Sequence, residues 1–398
     1  MTMTEQQEGT THAAFTESEE RRELRQAVRR LAGTYGQEYF TRQARSGGKT
    51  TDLWLDLGKN GYLGVNIPEQ YGGGGGGIGD VAAVCEELAA QGCPMLMMVV
   101  SPAICGTVIA RFGTEEQKQR WLPGIADGTE TMAFAITEPD AGSNSHKITT
   151  TARRDGDEWV LSGRKIYISG VDEAKNVLVI ARTEDARSGK LKPCLFVVPT
   201  DAPGFEFQAI AMEMVSPEKQ FTVFIDDVRL PGDALVGHED AGLVQLFAGL
   251  NPERIMAASF ATGLARFALD KATAYAKERT VFGDKPIGAH QAIAHPLAES
   301  HIEVELARLV TQKASALCDA GDDMGAGEAA NMAKYAAGEA ACRAVDRAIQ
   351  THGGNGATQE YGMAALLVAS RVMRIAPVSR EMILNFVAMH SLGLPKSY

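Results

Sequence analysis

Apolar positions along the chain change their period twice. From residue 17 to about 128 they recur at three- and four-residue spacing, as at Leu24, Val28 and Leu31, and again over 81–90 and 102–122. That spacing predicts helices. From about residue 130 to 237 the pattern breaks into short β-branched and aromatic runs at 131–137, 148–154, 159–162, 165–169, 177–182, 195–199 and 221–225. Such runs predict strands, and Asp155-Gly156 between two of them predicts a hairpin turn. From about Asn251 the helical period returns, with Met256, Phe260, Leu264 and Phe267 on one stripe, followed by 297–317, 326–350 and 379–390. Long helices with short connections predict a bundle. The class is therefore α+β in three parts: a helical domain over 16–128, a β domain over 129–237 and a helix bundle over 238–398, with 1–15 as a disordered N-terminus.

Composition narrows the options without changing that outline. A chain of 398 residues, 45% of them hydrophobic, can bury a large core split between domains, so a site between domains is available. The net charge of -11, with no basic block, argues against nucleic acid and anionic membrane as partners. Six cysteines without CxxC spacing point to reduced, structural thiols and to the cytoplasm. The first twenty residues lack an apolar segment, so no secretory signal is expected. The longest apolar stretch, 93–110, is interrupted by Pro94, Ser101, Pro102, Gly106 and Thr107. It reads as a buried helix, because a membrane span needs about 20 predominantly apolar residues.

Three local patterns are candidates for chemistry. The glycine run 72–77 formally contains GxGxxG, but Pro68-Glu69-Gln70-Tyr71 precedes it where a dinucleotide fold needs a strand, which favours a plain loop. Thr137-Glu138-Pro139-Asp140-Ala141-Gly142-Ser143 ends a β-like run with turn formers. It is either an ordinary turn or one that points backbone amides at a ligand. Asn251-Pro252-Glu253-Arg254 looks like a helix start, with Asn251 as N-cap and Glu253 and Arg254 in the first turn, where the helix dipole favours a carboxylate. Capping chemistry alone would account for that glutamate. No HExxH or paired-histidine spacing occurs, and no GxSxG elbow, so neither a metal nor a serine triad is expected.

These segments together resemble the acyl-CoA dehydrogenases, and the likeness runs nearly the length of the chain. The 137–143 turn resembles the family signature of the β domain, Tyr167-Ile168-Ser169 its aromatic segment beside the flavin, Arg279-Thr280-Val281-Phe282-Gly283 with His290-Gln291 its RxxFG…HQ segment, and Gln350-Thr351-His352-Gly353-Gly354-Asn355-Gly356 its QxHGGNG segment. The resemblance implies a fold with a helical N-terminal domain, a central β-barrel-like domain and a C-terminal four-helix bundle. It implies FAD held by Ala135, Ile136, Thr137, Gly142, Ser143, Tyr167, Ile168, Ser169, Arg279, Phe282, His290, Gln291, Gln350, Gly353, Gly354 and Ser379. Ser143 and Arg254 would contact the acyl-CoA.

Most members of the family carry the catalytic base in a loop near the C-terminus, in a YEGTSEIQ-like segment after an RI dipeptide. Here that dipeptide is Arg374-Ile375, and the glutamate position falls on Pro377, which offers neither a carboxylate nor an N–H. The branch resembling isovaleryl-CoA and long-chain dehydrogenases instead places a Glu-Arg pair at the start of the first C-terminal-domain helix. Glu253-Arg254 match that pair. The implied activity is FAD-dependent α,β-desaturation of an acyl-CoA thioester to a trans-2-enoyl-CoA, with Glu253 as base and an electron-transfer flavoprotein as acceptor. An acyl-CoA oxidase, and a catalytically silent FAD- or acyl-CoA-binding subunit, are the alternatives. Flavin contacts across subunits imply a homotetramer or a homodimer.

Overall fold

The computed structural model describes residues 17–184, 189–239 and 242–396. The segment expected to be disordered, 1–15, lies outside them. The first layer is helical: α1 (Glu19–Ser46), α2 (Thr51–Lys59), α3 (Ile78–Ala90), α4 (Thr107–Phe112) and α5 (Glu115–Asp127). A π-helical segment, Val99–Gly106, runs directly into α4 and is buried throughout. Among the described residues no helix is long and apolar enough to cross a membrane.

The glycine run is a loop that folds back on its own approach. Gly74, Gly75 and Gly76 donate to the carbonyls of Gly64, Ile67 and Val65 at 2.9, 2.9 and 2.7 Å. The N-terminus of α3 that follows is already occupied, because Ile78 and Gly79 N–H donate to the Asp319 carboxylate at 2.6 and 3.1 Å. Its first-turn donors are satisfied by a protein carboxylate rather than by a phosphate.

The middle layer is an eight-stranded sheet formed by β1 (Met132–Ala135), β2 (Thr151–Asp155), β3 (Glu158–Ser169), β4 (Asn176–Glu184), β5 (Leu191–Pro199), β6 (Phe205–Ile210), β7 (Gln220–Pro231) and β8 (Leu235–Val236). The strand order is β6-β7-β3-β2-β4-β5-β8, with β1 parallel to β4, so the path is open at β6 and β8. The hairpin forms where Gly156 supplies a φ of 65°, with Asp155 opposite Glu158. Two expected strands, 159–162 and 165–169, are one strand, because β3 pairs continuously along β7 through register shifts instead of ending. Strands β6 and β8 were absent from the sequence expectation.

Helices α6 (Gly242–Glu278), α7 (Gln291–Asp319) and α8 (Asp323–His352) are the long members of the last layer, and short α9 (Leu366–Val372) and α10 (Arg380–Phe386) follow them. Helix α6 corrects one expectation. It starts at Gly242, so Asn251 is not its N-cap and Glu253 lies about three turns inside, beyond reach of the N-terminal dipole. Tertiary packing overrides the local signal. Asn251 is 5% exposed and donates to the Asp323 carbonyl at 3.1 Å, while Gly249 lets the extra turns approach Ile104 and Val108. Pro252 is accommodated at the loss of one backbone hydrogen bond.

Candidate active site

Five structural elements are linked to Glu253 through neighbouring residues. Its carboxylate makes no hydrogen bond or ion pair among the described residues, and it lies close enough to Cys105 to push that thiol's pKa up, adding to the larger effect of burial. The Cys105 thiol donates to the Ala133 carbonyl of β1 at 3.5 Å. On its other side, Arg254 faces Lys334 of α8, and the Lys334 Nζ donates to the Val378 carbonyl at 2.5 Å. Next along the chain, the Ser379 N–H reaches the Ser143 Oγ at 3.4 Å. Glu253, the signature turn and the C-terminal loop are thereby joined in one circuit.

Burial raises the Glu253 pKa to about 7, and the neighbouring Arg254 only partly opposes it. A carboxyl poised near neutrality, with no partner for its charge, suits proton abstraction. The Arg254 guanidinium folds back on its own helix, donating to the Leu250 carbonyl at 3.0 Å, and its Nε is buried without a partner. Pro377 offers no carboxylate in the loop. That loop is nonetheless clamped to α8: Glu339 pairs with Arg374 at 2.7 Å and with Arg380 at 3.1 Å, while Lys334 holds its centre.

Beside Ser143 the sheet turns an aromatic ring outward. Tyr167 is 57% exposed with a φ of 58°, next to Thr137, whose carbonyl accepts from the Ile166 N–H at 2.9 Å. Ala135 is buried at the end of β1, and the Ile168 side chain is buried too, so those two residues face the site with backbone alone. The Ser169 hydroxyl engages Gln220. The N–H groups of Gly142 and Ser143 have no acceptor among the described residues, and the space where a Gly142 side chain would sit is open. FAD combines a flat ring with many acceptor atoms. An outward aromatic face beside free amides and open backbone fits such a group.

The remaining predicted flavin positions gather elsewhere. The Tyr275 ring of α6 stacks on His352 at 4.5 Å and its Oη accepts from Asn355 at 3.1 Å, which brings the Arg279–Gln291 loop to the same end of the bundle as Gln350, Gly353 and Gly354. Phe282 stands fully exposed in that loop, and Gly353 ends α8 with a φ of 59°. Tyr275 follows Glu253 on one helix by twenty-two residues, about 33 Å at about 1.5 Å per residue. One chain therefore does not bring this second group to its own Glu253.

Sequence reasoning missed four charged residues that hold the first group. Lys165 is 0% exposed and pairs with Glu138, 3% exposed, at 2.9 Å. Lys334 and Glu339 are 2% and 8% exposed. The latter two carried a signal, as isolated charges in the small-residue run Ala329 to Ala341.

An aromatic face, unpaired amides and a half-buried, unpaired carboxyl on an α–β–α scaffold fit a flavin-dependent oxidoreductase. Comparison with known proteins agrees. The chain matches the N-terminal domain of acyl-CoA dehydrogenases over residues 18–129, the middle domain over 133–228 and the C-terminal domain over 240–392. It is 64% identical over 388 residues to the acyl-CoA dehydrogenase FadE12 of Mycobacterium tuberculosis, covering 98% of this chain and 100% of that one. It also resembles the glutaryl-CoA dehydrogenase of Mycobacterium smegmatis solved in complex with FADH2, with a TM-score of 0.87, 28% identity and 96% of each chain covered. A structure described as the electron transferring flavoprotein of Acidaminococcus fermentans, studied for flavin-based electron bifurcation, matches with a TM-score of 0.90 at 29% identity, covering 95% of this chain and 99% of that one. The chain belongs to the acyl-CoA dehydrogenase family. It is an oxidoreductase of CH–CH groups with FAD as its cofactor.

Proposed function

We propose that Glu253 is the base that removes the α-proton of an acyl-CoA thioester, giving a trans-2-enoyl-CoA. What supports this is a carboxyl that burial brings to about pKa 7, unpaired, in direct succession with Arg254, Lys334, Val378, Ser379 and Ser143. Bound FAD supplies the acceptor for the β-hydride. Tyr167, Thr137, Ser169 and the amides of Gly142 and Ser143 hold its ring system, and Ser143 and Arg254 contact the thioester. Pro377 has no N–H to polarise the carbonyl, so that task falls to the next amides in the loop. The Val378 N–H has no partner among the described residues, and the Ser379 N–H makes a long contact with Ser143.

The Arg279, Phe282, His290, Gln291, Gln350, Gly353 and Gly354 group serves the flavin of a neighbouring copy. Its distance along α6 from Glu253 and the full exposure of Phe282 support a homo-oligomer, with a homotetramer as the expected form. The structural likeness to an electron transferring flavoprotein system supports an electron-transfer flavoprotein as acceptor. The setting is acyl-chain catabolism in the cytoplasm. Anaerobic addition of an acyl-CoA drawn from a panel of short, branched, long and steroid-side-chain thioesters bleaches the flavin absorbance, and Glu253→Gln abolishes the bleaching. Full bleaching by that variant refutes the assignment of the base.

A further inference from the structure

We propose that the buried Lys165–Glu138 pair is a positioning device for the flavin face, pinning the strand register that turns Tyr167 outward. The proposal rests on Tyr167 and Thr137 being flavin contacts. Strand β3 gains one residue on β7 between two pairs, Lys165 with Val223 and Ile168 with Phe221. The extra residue is what rotates Tyr167 out, at a φ of 58° that a tyrosine rarely adopts. A bulge of this kind can slip by one residue, which would return Tyr167 to extended backbone and change which side chains face outward.

Three adjacent contacts oppose that slip. The Ile166 N–H donates to the Thr137 carbonyl at 2.9 Å instead of to β7. The Lys165 Nζ donates to the Ile136 carbonyl at 3.1 Å and to the Glu138 Oε1 at 2.9 Å. Glu138 is held in turn from the far side. Its Oε1 accepts from the Thr150 N–H at 2.9 Å and Oγ1 at 2.5 Å, and its Oε2 from the Thr149 N–H at 2.5 Å and Oγ1 at 2.8 Å. Residues 136–138 are thus zipped to 165–166 and nailed to 149–150.

Stability alone does not explain a charge pair there. Apolar residues of similar volume are often as stable or more so, whereas a pair with directional bonds specifies one register. Among the described residues the Lys165 Nζ makes no hydrogen bond beyond these two, and both lead to the segment that carries Thr137 and the signature turn. Burial would weaken each charge, but Lys165 and the threonine hydrogen bonds outweigh it at Glu138 and hold that carboxyl well below its usual range.

The test uses the full-length protein, stripped of FAD and titrated back, in four versions besides wild type. K165M and E138Q break the pair; Y167A removes the ring; R25M breaks a largely buried ion cluster that joins α1 to α3. We expect K165M to weaken FAD binding by about tenfold or more, to shift the flavin absorbance envelope in the direction Y167A does, and to speed amide hydrogen exchange over 136–143 in the apoprotein. R25M lowers the melting temperature with FAD affinity and spectrum unchanged. The proposal is overturned if K165M and R25M behave alike, losing stability but not flavin affinity, while Y167A changes both affinity and spectrum. If Y167A changes neither, the placement of the flavin on Tyr167 fails and the proposal falls with it. Should K165M not accumulate, E138Q carries the same readouts, since Gln removes the charge opposite Lys165 and its single amide oxygen can accept from only one of the two threonines.

Discussion

Replacing Glu253 with Gln should do two things that usually oppose each other: abolish turnover and stabilise the protein. In the folded chain the Glu253 pKa is raised from 4.5 to about 7, with burial as the cause and Arg254 as a partial offset. A carboxyl whose folded pKa lies above its unfolded value binds more protons in the native state between those pH values. Stability therefore falls as pH rises from about 4.5 to about 7, and the full cost is present above 7. At 1.36 kcal/mol per pKa unit the penalty is about 3 kcal/mol. Gln has nearly the same shape and no charge, so at pH 8 the variant escapes the penalty, and at pH 4.5 it gains almost nothing.

The assay is thermal unfolding of both proteins across pH 4.5 to 8.5 without substrate, alongside anaerobic flavin reduction. The melting temperatures should coincide at the acid end and diverge by a few degrees in favour of Glu253→Gln at the alkaline end. The wild-type kcat/KM should rise about tenfold per pH unit below 7 and level off above it, reporting the base of the free enzyme. A variant that melts lower than wild type at pH 8 refutes the account of a desolvated, unpaired carboxylate. So does a melting-point difference that ignores pH.

Two further predictions follow from other buried charges. Glu87 is 1% exposed and bridges Arg25, Arg29 and Arg266 across α1, α3 and α6; Glu87→Gln should destabilise the fold by about 3–5 kcal/mol, read as a lower urea midpoint, while the flavin spectrum stays as in wild type. Glu138 has its folded pKa lowered from 4.5 to about 2 by Lys165 and the Thr149 and Thr150 hydrogen bonds, which outweigh burial, so its contribution is present above about 4.5 and is lost as pH falls through about 2. Acid unfolding should accordingly be less steep in Glu138→Gln than in wild type; equal acid profiles would show that the carboxylate is not held in this way.

Patterns that depend on near neighbours were readable in the sequence; those that depend on distant ones were not. The 3.6-residue period located every long helix, and the β-rich texture located the sheet, because each element buries its own apolar side. Phe205, Phe207 and Ala209 alternate with Glu206 and Gln208, so β6 carried its signal. It is a short segment whose partner, β7, lies ten residues beyond its end, and it went unseen. Asn251-Pro252 carried a strong capping signal that the structure overrules through Asp323, seventy-two residues on. Lys165 sits two residues before an exposed tyrosine and would pass for a surface residue, because the register shift on β7 turns Tyr167 outward while Lys165 stays inward against Glu138. The convergence of Ser143, Glu253 and Ser379 was legible through family likeness rather than through any local property of the three.

Peptide geometry sharpens the role of the loop that lost its glutamate. The Val378 carbonyl and the Ser379 N–H belong to one peptide unit, and in a trans peptide they point in opposite directions. Lys334, buried on α8, holds the carbonyl at 2.5 Å, so the Ser379 N–H faces away from α8, toward Ser143. A lysine ammonium on the carbonyl also polarises the unit and makes that N–H a better donor. Ser379→Pro should then lower kcat by about 10²–10³, the usual effect of losing one donor to a developing oxyanion. Pro can occupy the position, since Ser379 has a φ of -65°. Because Pro also removes the hydroxyl that caps α10 through the Met382 N–H, Ser379→Ala is the control: it loses the cap at about 1 kcal/mol and keeps the N–H. Lys334→Met should fall between the two, with kcat lowered more than KM is raised. Equal turnover by the Pro and Ala variants would remove the Ser379 amide from the reaction and leave the Val378 N–H as the donor this loop supplies.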